Sequence, residues 1–396
     1  MIPTPIHVSD DVLDDLRRRL RATKWPRDAG NDDGFYGVRR TRLQPLVEYW
    51  ADGFDWRAAE RAINAYDHYR VEVGDLPVHF LHKPGVGPNP IPLILSHGWP
   101  WTFWHWSKVI DPLADPASYG GDPADAFDVI VPSLPGFGFS TPTRPDMNFW
   151  KIADVWHSLM TEVLGHPKYA AAGCDVGALV TGQLGHKYAD ELYGMHIGSA
   201  LKLSFFNGDR GWDLSGGNPI PAGLPPEIHA RILELEHRFA SHLAVHVLDP
   251  STLGFGLADS PAGMLAWILE RWQKWAESEK AFTDDDLLTH ATIFWAGNAI
   301  DTSIRTYANN NRYPWTPSHD RTPVIEAPTG ITFVGHEDPP GVHTPQERVD
   351  NFLASDRAAW YNHANITAHP NGGHFIPWEV PTEWTDDLRR TFRGLR

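Results

Sequence analysis

Among 396 residues the chain holds a single cysteine, Cys174. No intrachain disulfide framework is open to it, which suits a reducing, cytoplasmic setting. No run of about 18 apolar residues, the length a membrane-spanning helix requires, occurs in the sequence, so no transmembrane anchor is expected. The opening residues Met1-Ile2-Pro3-Thr4-Pro5 lack a basic region leading into an apolar core, so no signal peptide is expected. Cations are in short supply: 34 Lys and Arg stand against 50 Asp and Glu, a net charge of −16 with histidine neutral. Nucleic acids and anionic membrane surfaces both require clustered cations, so neither is an expected partner. Gly-x-Ser-x-Gly, the serine elbow, is absent. His336, His343, His363 and His369 show no metal-ligand spacing on a helix, and solvent or structural roles fit them. Internal repeats and low-complexity tracts are missing too.

What the chain does have is an organising stretch at Tyr169-Ala170-Ala171-Ala172-Gly173-Cys174-Asp175-Val176-Gly177-Ala178-Leu179-Val180. It reads as a short apolar strand, a tight Gly-x-Asp-x-Gly turn and a helix. Glycines two before and two after a polar residue mark a strand-to-helix elbow, whose strained turn lifts the central side chain clear of the sheet. The residue lifted here is Asp175. A carboxylate needs no base to become a nucleophile, and the alkyl ester it forms can be hydrolysed afterwards. Taken alone, the same five residues equally describe an ordinary turn. Eighteen tryptophans are enough to fill a core and still line a pocket.

Residues 1–85 read as helices followed by a hairpin. Ser9-Asp10-Asp11 caps the first helix, with Val12, Leu13, Leu16 and Leu20 at helical spacing. Helices are expected near Leu43 to Asp52 and Asp55 to Tyr66, and the hairpin over Val71–Val73 and Val78–His82. Apolar strands and helices then alternate. Strands are expected at Ile91–Ser96, Phe127–Pro132, the elbow, and Met195–Gly198, with helices at Trp101–Leu113 and Phe149–Leu164. From 201 to 317 the alternation stops, and helices are expected at Glu227–Leu248, Gly263–Glu279, Asp284–Ala296 and Asn298–Asn309. Strands resume at Thr329–Val334 and Ala364–His369, with helices at Gln346–Leu353, Ser355–Ala359 and Pro381–Leu395. Buried strands alternating with helices predict an α/β fold with a mostly parallel sheet. The organisation expected is a core of 86–200 and 318–396, a helical lid over 201–317, and an N-terminal extension of 1–85 that wraps both.

In such sheets ligands bind beyond the carboxyl ends of the strands. Four stretches fall there: His97-Gly98-Trp99-Pro100, the Asp175 elbow, Gly335-His336-Glu337-Asp338 and Gly372-Gly373-His374. Nucleophile, acid and histidine follow one another in the chain order of the α/β-hydrolase triad. Opening an ester on Asp175 with water needs a base, for which His374 is placed; the base needs a carboxylate to orient it, for which Glu337 is placed. The tetrahedral oxyanion needs two backbone N–H donors, those of Trp99 and Val176.

With these motifs in view, the chain resembles α/β-hydrolase-fold epoxide hydrolases, and most closely the branch with microsomal and juvenile-hormone epoxide hydrolases and their soluble bacterial relatives. The resemblance runs through Tyr49-Trp50 and Asp55-Trp56-Arg57, His97-Gly98-Trp99-Pro100, Ser133-Leu134-Pro135-Gly136-Phe137-Gly138-Phe139-Ser140, Asp259-Ser260-Pro261-Ala262-Gly263 and Gly372-Gly373-His374-Phe375. It implies that Asp175 attacks an epoxide carbon, that lid tyrosines hydrogen-bond the ring oxygen, and that His374 with Glu337, which the branch's spacing favours over Asp338 or Asp301, activates water to release a vicinal diol. It implies no metal and no organic cofactor. One lid tyrosine maps to Tyr307. The second place, upstream of Pro250-Ser251-Thr252-Leu253, holds no tyrosine; by count it is His242, with His246 four residues on. The expected reactants are a bulky hydrophobic or aromatic epoxide and water. Two other readings stay open at this point: a dehalogenase using the same Asp175, with the Trp99 indole as a halide donor, and a catalytically silent relative that binds a metabolite or partner. The oligomeric state stays open, a homodimer included.

Overall fold

A computed structural model of the chain describes residues 1–27, 30–207, 223–239 and 241–396. Its centre is one eight-stranded sheet: β1 (Asp67–Val73), β2 (Leu76–Lys83), β3 (Ile91–Ser96), β4 (Phe127–Pro132), β5 (Tyr169–Gly173), β6 (Leu192–Ile197), β7 (Ile325–Val334) and β8 (Tyr361–His369). The spatial order is β1-β2-β4-β3-β5-β6-β7-β8. The β1–β2 and β2–β4 pairs are antiparallel and every later pair is parallel. This is the α/β-hydrolase fold with a mostly parallel sheet. The hairpin β1–β2 falls within the 1–85 segment read as an extension, yet it forms one edge of the central sheet.

Short-range chemistry explains the strands nearest the site. β5 is Tyr-Ala-Ala-Ala-Gly, buried at every position. The helix that follows is buried from Val176 to His186; a helix apolar all round belongs inside a protein. Small side chains let the two pack closely.

The helices number fifteen among the described residues: α1 (Asp10–Arg21), α2 (Arg40–Asp52), α3 (Trp56–Ile63), α4 (Ser107–Ala114), α5 (Phe149–Ser158), α6 (Val176–Lys187), α7 (Pro226–Phe239), α8 (Ser241–Leu248), α9 (Pro250–Asp259), α10 (Pro261–Trp275), α11 (Asp284–Ala296), α12 (Ile300–Arg312), α13 (Pro345–Leu353), α14 (Ile376–Glu379) and α15 (Pro381–Phe392). On α1, Leu13, Leu16 and Leu20 are buried as their spacing predicts. Ser9 stands at the N-cap but accepts no side-chain bond, and the acidic help comes instead from Asp10 and Asp11 in the first turn.

Several boundaries differ from the sequence reading. The 101–113 segment is a short tight turn of helix, Phe103–Trp106, leading into α4. The 149–164 helix widens to a π-turn over Leu159–Val163. The expected 227–248 helix is described over Pro226–Phe239 and Ser241–Leu248, α7 and α8, residue 240 lying outside the described residues. α9, opened by Pro250 at its first position, and α14 have no counterpart in the sequence reading. The expected 355–359 helix is replaced by a single turn at Ala358–Trp360.

Helices α8, α10 and α12 send His242, Trp275 and Tyr307 over the carboxyl ends of the strands. The N-terminal helices clamp this cap from outside. The Trp50 indole donates to Thr292 Oγ1 at 3.0 Å, and Arg42 and Tyr49 reach Asp284 and Asp285.

Candidate active site

Asp175 stands two residues beyond the end of β5, after Cys174, and caps α6 at φ 56° and ψ −131°. Positive φ at a non-glycine residue costs about 1–3 kcal/mol and persists where the surroundings over-determine it. They do here. A Cβ on Gly177 would lie 2.1 Å from the Ser96 carbonyl oxygen, and one on Gly98 would lie 2.3 Å from Asp175 Oδ1. The two glycines let β3, the elbow and the loop after β3 close on one another.

The loop after β3 supplies the first contact to the carboxylate: Trp99 N–H donates to Asp175 Oδ1 at 2.8 Å. His97 holds that loop. Its Nε2 accepts from Leu134 N–H at 3.1 Å, so its proton sits on Nδ1, which meets the Gly98 carbonyl at 2.9 Å. Burial lowers its pKa to about 4, and the ring stays neutral as this pairing requires. Val176 opens α6, so its N–H is a first-turn donor with no intrahelical acceptor.

Asp175 Oδ2 lies 3.1 Å from His374 Nε2, and His374 Nδ1 meets Glu337 Oε1 in a short hydrogen bond. Asp338 instead turns to Arg348, at 3.3 Å, and Asp301 lies on α12 within 3.6 Å of Arg305. Burial works to lower the His374 pKa, but the Glu337 charge and the hydrogen bonds to Asp175 and Glu337 outweigh it and raise it to about 10. At neutral pH the imidazole is therefore a cation between two carboxylates.

Above the carboxylate lies a cavity of about 810 Å³. Asp175, His374 and Glu337 share its wall with His242, Trp275 and Tyr307, and Leu179, Leu201, Phe206 and Phe333 make it apolar. Tyr307 is only 2 % exposed, and burial, followed by the Asp175 charge, pushes its hydroxyl well above the ordinary tyrosine pKa. It remains an O–H donor at any physiological pH. His242 stacks flat on Trp99, with centroids 5.5 Å apart and planes 5° apart, and stands 6.0 Å from the Tyr307 ring. His246 is behind it: its Nε2 accepts from the Trp267 indole at 3.0 Å, and burial keeps it neutral.

The sequence reading did not single out Trp275. Its ring stands 4.9 Å from the His374 imidazole at 62°. Nothing in its spacing on α10 marks it, since only the fold of the cap brings it to the histidine.

The family described as "Epoxide hydrolase N terminus" matches residues 1–106, and that described as "alpha/beta hydrolase fold" matches residues 91–213. A protein of Stigmatella aurantiaca, provisionally named an epoxide hydrolase, is 35% identical over 100% of this chain and 85% of its own length. The chain belongs to the epoxide hydrolases. It is an enzyme of that family, and the dehalogenase and silent-binder readings give way to it. Epoxide hydrolase 1 of Oryctolagus cuniculus is 29% identical over 99% of this chain and 88% of its own. The fold is shared with the juvenile hormone epoxide hydrolase of Bombyx mori, at a TM-score of 0.78 and 24% identity over 100% of this chain and 93% of that one. It is shared as well with the Aspergillus niger epoxide hydrolase, at a TM-score of 0.79 and 24% identity over 100% of this chain and 96% of that one. No helix among the described residues of this epoxide hydrolase is long and apolar enough to cross a membrane, and no cluster of His, Cys, Asp or Glu among them could hold a metal ion.

Proposed function

We propose that the enzyme converts a bulky hydrophobic or aromatic epoxide to a vicinal diol through an alkyl ester on Asp175. The observation that carries this reading is the double engagement of one carboxylate: Oδ1 on the Trp99 amide and Oδ2 on His374, whose far nitrogen is on Glu337. Oδ2 attacks a ring carbon, the carbon–oxygen bond of the ring breaks, and the alkoxide takes the Tyr307 proton. The tyrosinate is reprotonated at the expense of the His374 cation through solvent. Esterification deletes the Asp175 charge, one of the groups that raise the His374 pKa, so the base is set free when it is needed.

Neutral His374 then takes a proton from water as its oxygen attacks the carboxyl carbon. The oxyanion forms on Oδ1, on the Trp99 amide and with the Val176 amide as second donor. Collapse breaks the bond from the carboxyl carbon to Oδ2. The departing alkoxide takes the proton of the new acid, and carboxylate and imidazolium are restored. The Glu337 charge stabilises the imidazolium throughout. His242, on the cavity wall, is the candidate second donor to the ring oxygen.

Single turnover in heavy-oxygen water tests the scheme. The label is expected in the protein first, with the first diol carrying an oxygen from Asp175. Label appearing directly in the first-turnover diol would sink the ester. Asp175→Ala should abolish the alkyl-enzyme seen by intact-protein mass spectrometry. The apolar cavity supports the substrate class, and a panel of aryl and small alkyl epoxides, compared by kcat/KM, checks it.

A further inference from the structure

The loop that carries His374 does not stand alone on the sheet. It is bound to the chain leaving α10 at the edge of the cap. His374 N–H donates to the Trp275 carbonyl at 2.9 Å, and Gly372 N–H donates to Glu277 Oε2 at 3.0 Å. Glu379, on α14, closes the arrangement from below: Oε1 accepts from Phe375 N–H at 3.0 Å and Oε2 accepts from Glu277 N–H at 2.7 Å. One carboxylate thus takes one amide from each side of the junction. The approach is so close at Gly373 that a Cβ there would lie 2.3 Å from Glu277 N and 2.7 Å from both Glu379 Oε1 and the Trp275 carbonyl oxygen. The second glycine before the histidine is a requirement of this contact.

Glu379 and Glu277 take no part in the chemistry proposed above. Backbone amides bonded to a carboxylate make hydrogen bonds roughly twice as strong as neutral ones. Such bonds hold geometry, and general-base catalysis is sensitive to it: a misplacement of about 1 Å can cost about a hundredfold. Through Trp275 the same chain segment also forms part of the cavity wall beside the His374 ring.

We propose that Glu379 and Glu277 are positioning residues that clasp the His374 loop to the cap, so that water activation in the second half of the reaction depends on the cap being seated. This rests on the ester reading, because only a two-step reaction has a half that needs the histidine as base. In the alkylation of Asp175, His374 serves only as a proton source relayed through solvent, which tolerates a displaced ring, whereas water activation needs the ring nitrogen in place.

The test measures formation and decay of the alkyl-enzyme separately, by rapid quench and intact mass, with an aryl epoxide. Glu379→Gln leaves one acceptor oxygen and turns an N–H₂ toward an amide donor. It is expected to slow decay by about tenfold to a hundredfold, with formation within about twofold of the parent. Glu277→Ala should do the same, and Glu277→Gln, which still offers an oxygen to Gly372 N–H, should restore decay to near the parental rate. Unequal effects on the two steps are what a merely structural role would not produce. Equal slowing of both steps, or unchanged decay in a folded Glu379→Gln protein, overturns the clasp. Should Glu379→Gln fail to fold, the comparison of Glu277→Ala with Glu277→Gln decides alone, since Glu277 is on the surface. Absence of any alkyl-enzyme in both the parent and His374→Gln overturns the ester reading, and this proposal with it.

Discussion

At Asp175 the two carboxylate oxygens face different partners, and so do the two nitrogens of His374. That asymmetry divides the labour among single residues and makes it measurable. Glu337→Gln removes the charge that supports the imidazolium, and decay of the alkyl-enzyme is expected to slow by about a hundredfold or more while the ester accumulates. Asp338→Asn, whose carboxylate serves Arg348, should leave decay near the parental rate; the reverse result would move the acid by one residue. For the ring oxygen, Tyr307→Phe is expected to slow alkylation by about a hundredfold, the usual effect of removing one preorganised donor. His242→Phe should slow it further and His242→Tyr should retain it. If His242→Phe alkylates like the parent at every pH, the flat stacking on Trp99 is all that the histidine does.

At the scale of elements, the site is a junction of tight turns. Gly98, in the loop after β3, has no room for a methyl group, which would fall on Asp175 Oδ1 and Cβ. Gly98→Ala is expected to cost about 1–3 kcal/mol of stability through overpacking, read from chemical unfolding. It should also lower kcat by about a hundredfold by displacing Asp175, the proposed nucleophile. The elbow was legible in the sequence because two glycines around Asp175 state a local need. The Gly373 contact was not, because its partners arrive from α10 and α14. Likewise the position of His242 could be counted from Pro250, but the face it turns to Trp99 depends on how α8 lies across the strand ends.

For the whole molecule, protonation decides the acid limit. His79, His97, His105, His196, His246 and His290 are all fully buried. Burial is the leading cause of a lowered pKa in each. A group whose folded pKa lies below its unfolded value binds its proton more readily in the unfolded chain. These six rings therefore contribute stability that is present above about pH 6.5 and lost as pH falls toward their folded values. His374 runs the other way: raised to about 10, it stabilises fully below about pH 6.5 and loses that contribution as pH rises through about 10. Melting temperature is expected to fall steeply from pH 6.5 to pH 4, with several protons taken up per molecule on unfolding by calorimetry. His290→Phe, which removes one buried ring next to His105, should make the fall shallower if it folds.

The alternation of apolar strands and helices, the carboxylate at the elbow and the chain order of Asp175, Glu337 and His374 beyond the strand ends were written in the sequence alone. Each is carried by a stretch of a few residues, where pleat, helical period and turn chemistry act at short range. The joining of β1 and β2 to the sheet, the Trp275 ring beside His374 and the Glu379 contact were decided only by the tertiary structure. They depend on directions accumulated over many elements and on carboxylates whose nearest partners lie far away along the chain. Sequence distance carries no record of such meetings, and the packing of the cap on the sheet creates them.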